Sequence, residues 1–330
     1  MTVAPDARIG VIGAGAWGTA LAIVAAQRGP VTLWAREPEV VEAINRERAN
    51  PRFLPGVALS PRVTATGDMA ALADCAALLA VAPAQHLRAT LSTLPAGTTT
   101  LVLCSKGLEA GTAALMSEVA AEATPGRPLA VLSGPSLARE VAIGLPAALT
   151  LACSDAALGA ALVARLSTPR VRLYQGDDLV GAEIGGAVKN VLAIACGAAA
   201  GAGLGENSRA ALIARGFAEM VRYGLARGGR AETMAGLSGL GDLVLTCTAQ
   251  SSRNFALGRA LGEGLGATEA LAGRDTVAEG AATAPVLATD AARRGVDMPI
   301  SAAVAAVLAG RMAAADAVET LLARPLAREG

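Results

Sequence analysis

The sequence predicts an α/β protein: a mostly parallel sheet with helices on both faces, followed by an all-helical second half. Three observations predict it. Short aliphatic and β-branched runs alternate with alanine-rich helical stretches through the first half of the chain. A glycine-rich turn joins the first of these strands to the first helix. After Asp178 strand signals cease and long helical stretches take over.

The predicted strands are residues 8–12, 31–34, 77–81, 99–104, 129–132, 148–153 and 171–174. They are short and apolar on both faces, as strands of a sheet covered on two sides must be. Between them lie predicted helices at 17–28, 38–47, 112–123 and 155–166. Helices are then expected at 179–200, 207–227, 253–261, 277–294 and 301–308, punctuated by Gly228, Gly229 and Pro299. Residues 1–178 are expected to form one domain and 179–330 a second.

Composition bounds the function. Apolar residues make up 53% of the 330, so the chain can bury a sizeable core. The formal net charge is zero, so no global field recruits nucleic acid or an anionic membrane, and any anion must be held by a local cluster. The lone histidine, His86, rules out a histidine-rich metal site, and no metal is expected. Five widely spaced cysteines without a C-x-x-C pair read as small buried residues in a reducing compartment. The opening "MTVAPDARIG" lacks a basic stretch followed by an apolar core. The nearest approach to an uncharged apolar span, residues 191–205, is mostly Ala and Gly and too short for a bilayer. A soluble cytoplasmic protein without membrane insertion is expected.

In "RIGVIGAGAWGTALAIVAAQRGPVTLWARE", Gly13, Gly15 and Gly18 follow an apolar strand and open a helix that Gly29 and Pro30 close. A second strand begins at Val31, completing the βαβ unit that gives a G-x-G-x-x-G pattern its meaning. Gly13 would permit the sharp turn, Gly15 would let the backbone approach a pyrophosphate, and Gly18 would let helix and strand pack closely. The phosphates would sit at the positive end of the helix dipole. At the end of the second strand, where an acid usually holds the ribose of NAD, stand Arg36 and Glu37. Arg36 favours NADP(H), because it attracts a 2′-phosphate. NAD(H) stays open, because Glu37 could serve the ribose if Arg36 points away.

Further stretches carry a family resemblance. "NPRFLPGVAL" (50–59), "CSKGLE" (104–109), "SGPSLARE" (133–140), "EIGGAVKNVLAIACGAAAGAGLGENSRAALIARGFAEM" (183–220) and "GLSGLGDLVLTCTAQSSRNFALG" (236–258) occur in order after "GAGAWGTALA". Together they resemble the bacterial NAD(P)-dependent glycerol-3-phosphate dehydrogenases over nearly the full chain. The resemblance implies a Rossmann-type N-terminal domain, a helical substrate-binding and catalytic C-terminal domain, and a homodimer. It also implies interconversion of dihydroxyacetone phosphate and sn-glycerol 3-phosphate for phospholipid synthesis. The chain departs from the family at Ala16, where Ser is common, at Gln85 before His86, where Ser is common, and at Ala214, where Thr precedes Arg215.

Reducing a ketone leaves negative charge on its oxygen, so some group must donate a proton there and take it back in reverse. Lys189 is the candidate. On a helix over 179–200 it would lean over Gly185 and Gly186, whose missing side chains would leave room for a substrate. A solvent-facing lysine on a closely packed helix is the alternative from this stretch alone. The resemblance makes the lysine of "VKN" the proton acceptor in alcohol oxidation. Lys106 follows a strand, at the carboxyl ends where ligands of parallel sheets gather. The resemblance makes it a contact of substrate and cofactor. Ser252, Arg253 and Asn254 offer hydroxyl, guanidinium and amide donors before a helix, a set suited to a phosphate monoester. A serine N-cap beside a surface arginine is the alternative. Asp242 could orient Lys189 or accept from a substrate hydroxyl, or else cap a helix.

By resemblance Arg253 touches substrate and cofactor, Gly134 and Ser136 touch substrate, and Ala16, Trp17, Ala138, Val277 and Glu279 touch cofactor. His86 reads as a local contact rather than the proton donor. Two rivals remain at this level: another two-domain hydroxyacid dehydrogenase with a carboxylate substrate, and a dinucleotide sensor without catalysis.

Overall fold

The structure is a computed structural model and describes residues 3–272 and 278–323. The chain divides into two compact units. Residues 1–106 and 114–183 make the first, and residues 107–113 and 184–330 the second.

The first unit is built on ten strands: β1 (Ile9–Ile12), β2 (Val31–Trp34), β3 (Ala49–Asn50), β4 (Leu54–Ala58), β5 (Val63–Thr66), β6 (Ala77–Ala80), β7 (Thr100–Leu103), β8 (Leu129–Ser133), β9 (Ala147–Ala152) and β10 (Val171–Gly176). Eight of them form one sheet in the order β10-β9-β8-β7-β6-β1-β2-β5, parallel throughout except for the β8–β9 pair. The sheet is mostly parallel, as the sequence predicts. Strands β3 and β4 form a separate antiparallel pair. These two strands and β5 escape the sequence reading. β3 is two residues long, and "VTAT" of β5 becomes a strand only through its pairing with β2.

Helices α1 (Ala16–Ala25), α2 (Pro38–Glu47), α3 (Leu87–Leu91), α4 (Met116–Ala123), α5 (Ala138–Ala142) and α6 (Ala156–Leu166) cover the sheet. Strand side chains alternate between two cores. Ile9, Val11 and Leu79 face one that includes Leu21 and Val24 of α1 and Leu162 of α6. Ile12, Leu78 and Leu101 face another with Leu87 and Leu91 of α3 and Met116 and Val119 of α4. Helix α4 starts four residues later than its composition suggests, because Gly111 (φ +84°) and Ala113 (φ +60°) hold the preceding chain out of helical geometry.

Helix α7 (Leu179–Gly201) carries the chain from the first unit into the second. It is long and apolar enough to cross a membrane, but it is mostly buried inside the protein as a core helix. The second unit continues with α8 (Gly205–Ala226), α9 (Ala231–Ala235), a π-helical turn at Leu237–Gly241, α10 (Asp242–Thr248), α11 (Arg253–Gly262) and α12 (Ala267–Leu271). It ends with α13 (Glu279–Arg293), α14 (Pro299–Leu308) and α15 (Ala314–Leu322). Pro299, read as punctuation in the sequence, is instead the first residue of α14, where its missing N–H costs nothing. The N-terminus of α14 is capped from α8: Glu219 accepts from Ile300 N (2.6 Å), Ser301 N (3.1 Å) and Ser301 Oγ (2.8 Å).

Helices α7 and α11 meet backbone to backbone. A Cβ on Gly197 would lie 2.1 Å from the Phe255 carbonyl oxygen, and one on Gly201 2.2 Å from that of Arg259. In return, a Cβ on Gly258 would lie 1.9 Å from the Ile194 carbonyl oxygen and one on Gly262 2.1 Å from that of Ala198. Four glycines, spaced one turn apart on each helix, thus fix where α11 begins relative to α7.

Candidate active site

The first group of site residues lies where strand order reverses in the first unit. β1 pairs with β2 on one side and β6 on the other, the position at which open parallel sheets bind ligands. The chain leaves β1 through Gly13 at φ +109°, with a would-be Cβ 3.2 Å from the Val81 carbonyl oxygen. A Cβ on Gly18 would fall 1.8 Å from the Gly13 carbonyl oxygen, so helix and turn pack too closely for any side chain. Gly15 differs: its Cβ would meet nothing within 4 Å. Two glycines are therefore required by the protein itself, and the third leaves a face open. Helix α1 starts at that face with no side-chain cap and no acid in its first turn. Its leading N–H groups and positive dipole end suit an anion. This cradle fits a dinucleotide pyrophosphate, which the backbone at Gly13, Gly15, Ala16, Trp17 and Gly18 would hold.

Beyond β2, Arg36 donates to Glu37 Oε1 from Nη2 (2.8 Å) and Nε (3.1 Å). The arginine side chain is 78% exposed and the glutamate 17%. Arg36 therefore turns toward Glu37 while staying accessible to a second anion, and both the NADP(H) and NAD(H) readings keep their residue.

Three predicted substrate residues converge past the carboxyl ends of β7 and β8. Lys106 Nζ donates to the Gly134 carbonyl oxygen at 3.3 Å, and Ser136 Oγ donates to the same oxygen at 3.1 Å. Gly134 has φ +146°, and a Cβ there would lie 2.9 Å from Leu149 Cα. Ser105 Oγ donates to Ala82 O at 2.5 Å, tying the loop after β7 to the loop after β6. Ala138 is the first residue of α5, a helix packed on α1. His86 is exposed.

In the second unit, Lys189 is 8% exposed and Asp242 1%. Lys189 Nζ donates to Asp242 Oδ1 and to Thr246 Oγ1, each at 2.8 Å. Thr246 in turn donates to the Asp242 carbonyl oxygen at 2.6 Å. Lys189 is thus not solvent-facing, and Asp242 does not cap its helix: its carboxylate holds the ammonium. The room expected over Gly185 is absent, because a Cβ there would lie 2.5 Å from the Ser238 carbonyl oxygen. Gly185 instead lets the π-helical turn press against α7 and deliver Asp242. Cys247, next to Thr246, is fully buried. Its hydrogen bond with Cys196 and its burial push its thiol well above the usual range, so it stays neutral beside the ion pair. All five cysteines are buried and free, as expected.

Ser252 does cap α11, accepting from Phe255 N at 3.3 Å, and Arg253 is exposed. Asn254 is 8% exposed. Its Nδ2 donates to Asn190 Oδ1 at 2.9 Å, and its Oδ1 accepts from Gly280 N at 3.0 Å. Glu279 is half-buried at the start of α13, and Val277 lies outside the described residues. Two neighbours escaped the sequence reading, Thr246 and Asn190. Thr246 stands four residues after Asp242, on the same helical face, and Asn190 follows Lys189 directly. Among the described residues no group of His, Cys, Asp and Glu could hold a metal ion.

Comparison with known proteins gives the family. A family model described as the N-terminus of NAD-dependent glycerol-3-phosphate dehydrogenase matches residues 8–159, and its C-terminal counterpart matches residues 178–319. Proteins named glycerol-3-phosphate dehydrogenase (NAD(P)+) are similar over almost the whole chain. One from Sphingopyxis alaskensis is 59% identical across 97% of this chain and 98% of its own. One from Caulobacter vibrioides is 58% identical across 98% of each. The crystal structure of glycerol-3-phosphate dehydrogenase from Coxiella burnetii, 39% identical, superposes with a TM-score of 0.92 over 97% of this chain and 100% of that one. The mostly parallel sheet with a helical second half, the glycine turn and the matched length agree, and the chain belongs to the NAD-dependent glycerol-3-phosphate dehydrogenase family.

Proposed function

We propose that this chain is an NAD(P)-dependent glycerol-3-phosphate dehydrogenase that interconverts dihydroxyacetone phosphate and sn-glycerol 3-phosphate, with Lys189 as its proton donor and acceptor. Family membership supports the activity, and the relatives' names support a nicotinamide cofactor. When bound, the cofactor supplies or takes up the hydride. The chain's own residues do the rest. The glycine turn and α1 hold the pyrophosphate. Arg36 favours the 2′-phosphate of NADP(H) over NAD(H), and Lys106, Ala138, Arg253, Val277 and Glu279 complete the cofactor contacts. Gly134, Ser136, Lys106, Ser252, Arg253 and Asn254 receive the phosphorylated three-carbon substrate. Lys189 gives its proton to the oxygen that gains charge, and Asp242 and Thr246 fix the direction of that ammonium.

The buried Lys189–Asp242–Thr246 cluster carries this reading. Burying a lysine with a carboxylate and a hydroxyl carries a desolvation cost that stability alone seldom repays, which supports a functional role. The chain's choice of cations adds support: of its 28 lysines and arginines only Lys106 and Lys189 are lysines. Arginine cannot give up its proton near neutral pH, whereas lysine can. A cytoplasmic homodimer whose product feeds phospholipid synthesis belongs to the same reading and rests on the resemblance.

The test is a Lys189→Met variant, assayed by cofactor oxidation with dihydroxyacetone phosphate and by NADPH fluorescence titration. Turnover should fall at least about a hundredfold with NADPH affinity retained. Wild-type turnover in the variant would remove Lys189 from proton transfer. A wild-type protein that binds dinucleotide but reduces only a carboxylate-bearing ketone would favour the hydroxyacid rival instead.

A further inference from the structure

The stretch "NPRFLPGVAL" has no part in the site described above, yet its first residue is locked to the glycine turn. Asn50 is fully buried at the end of β3. Its Nδ2 donates to the Ala14 carbonyl oxygen and to Thr19 Oγ1, each at 2.8 Å. Its Oδ1 accepts from Phe53 N at 3.2 Å. Thr19, also fully buried, donates from Oγ1 to the same Ala14 oxygen at 3.1 Å. A single backbone carbonyl between Gly13 and Gly15 thus receives two side-chain donors, one of them from a hairpin 36 residues along the chain.

The consequence follows from peptide geometry. The Ala14–Gly15 peptide is trans, since no peptide bond among the described residues is cis. In a planar trans peptide the N–H points opposite to the C=O. Holding the Ala14 oxygen inward therefore aims the Gly15 N–H outward, on the residue whose Cβ position has no neighbour within 4 Å. Glycine at 13 and 15 makes this turn unusually free to rotate its peptides. Something outside the turn has to choose one orientation, and the buried amide of Asn50 is chemically suited to that. Its donors and its acceptor are all engaged, so rotating the peptide would strand polar groups in the core.

We propose that Asn50 is a positioning residue for the dinucleotide: with Thr19 it fixes the Ala14–Gly15 peptide so that the Gly15 N–H is preset toward the pyrophosphate. The proposal rests on the dinucleotide reading of the glycine turn. Because the pyrophosphate is common to both nicotinamide cofactors, Asn50 acts on NADH and NADPH alike. In this it differs from Arg36, which meets only what distinguishes the two.

The test is Asn50→Asp, which keeps the shape but replaces the donor with an acceptor facing the Ala14 oxygen. Thr19→Val serves as a milder second variant that removes one donor and keeps the volume. Dissociation constants for NADH and NADPH come from fluorescence titration, and KM and kcat from cofactor oxidation. Asn50→Asp should weaken both cofactors by about tenfold or more, and Thr19→Val by about threefold. The ratio of the two affinities, the KM for dihydroxyacetone phosphate and kcat at saturating cofactor should each change less than about twofold. A merely structural role would lower kcat or soluble yield without this paired loss. Unchanged affinities in folded Asn50→Asp, or in Thr19→Val should the first variant not fold, would overturn the proposal. A wild-type chain that binds neither nucleotide would overturn the dinucleotide reading itself.

Discussion

Glycine serves the two candidate sites, one in each unit, in opposite ways. In the first, Gly15 leaves an open face at the start of a helix, and the site there is made of backbone N–H groups. In the second, Gly185, Gly197, Gly201, Gly258 and Gly262 are all filled by a neighbouring backbone, and the site is made of side chains that those contacts position. A backbone site needs a bare residue where the ligand comes. A side-chain site needs bare residues behind it, so that helices can approach and hold Lys189, Asp242 and Asn254 in register. The same residue type thus marks a ligand in one place and a packing contact in the other, and only the neighbour at the Cβ position tells them apart.

Exchanging one glycine of each kind for alanine tests that contrast most severely. Gly258→Ala puts a methyl 1.9 Å from the Ile194 carbonyl oxygen, which is backbone and cannot swing aside. Helices α7 and α11 must separate, at a cost of about 3 kcal/mol. The melting temperature should drop by several degrees, and because α11 begins with the Ser252–Asn254 donors, the KM for dihydroxyacetone phosphate should rise with it. Gly15→Ala has an ordinary backbone conformation (φ −62°) and no clash. Its melting temperature should match the wild type, while affinity for both nicotinamide cofactors falls about tenfold, because the methyl occupies the ligand's approach. Equal stability of the two variants would break the contrast, and so would undisturbed cofactor binding by Gly15→Ala.

This difference also governs what could be read from sequence. Gly13, Gly15 and Gly18 were legible because a turn, a close approach and a helix contact occur within six residues, so the spacing itself encodes them. The glycines of α7 and α11 pair across some sixty positions, and no local pattern says which helix faces which. The room that the sequence suggests in front of Lys189 is absent over Gly185, where the π-helical turn packs. What makes the lysine distinctive is Asp242, 53 residues away, and Thr246 behind it. Strands β3 to β5 were missed for a related reason: they are defined by partners, not by their own composition. Asn50 opens the stretch "NPRFLPGVAL", but its bond to Ala14 emerges only from the folded chain.

The second unit holds another buried charge cluster, one with no place in the proposed proton transfer. Asp290 accepts from Arg294 Nε (2.7 Å), Tyr223 OH (2.8 Å) and Arg227 Nη1 (3.3 Å). Burial alone would raise its carboxyl, but the hydrogen bonds from Arg294 and Tyr223 and the charges of Arg294 and Arg227 outweigh it and hold Asp290 below its ordinary range. A depressed carboxylate contributes stability above its unfolded pKa, and that contribution is lost as the pH falls through the folded value. Asp290→Asn should therefore cost about 2 kcal/mol at neutral pH, with the gap to wild type closing under acid conditions. Urea unfolding at pH 7 and near pH 3 reads this directly. Turnover per folded molecule should be unchanged; a large loss of kcat would mean that the two clusters of the second unit are not separate in role.

The smallest effect concerns Arg36, a first-unit side chain proposed to discriminate between the two cofactors. Backbone N–H groups recognise a pyrophosphate and treat NADH and NADPH alike. In the proposed reading the preference comes from the end of β2, where Arg36 lies across Glu37 with most of its guanidinium in solvent. An exposed ion pair contributes little to stability, so Arg36→Ala should melt like the wild type. Its effect should fall on the cofactor: about a tenfold loss of NADPH affinity, the scale of one charge-assisted contact to a phosphate, with NADH unaffected or improved as Glu37 is released toward the ribose. Equal losses for both cofactors would place Arg36 on the pyrophosphate instead. The division between a backbone that binds and a side chain that chooses would then no longer hold.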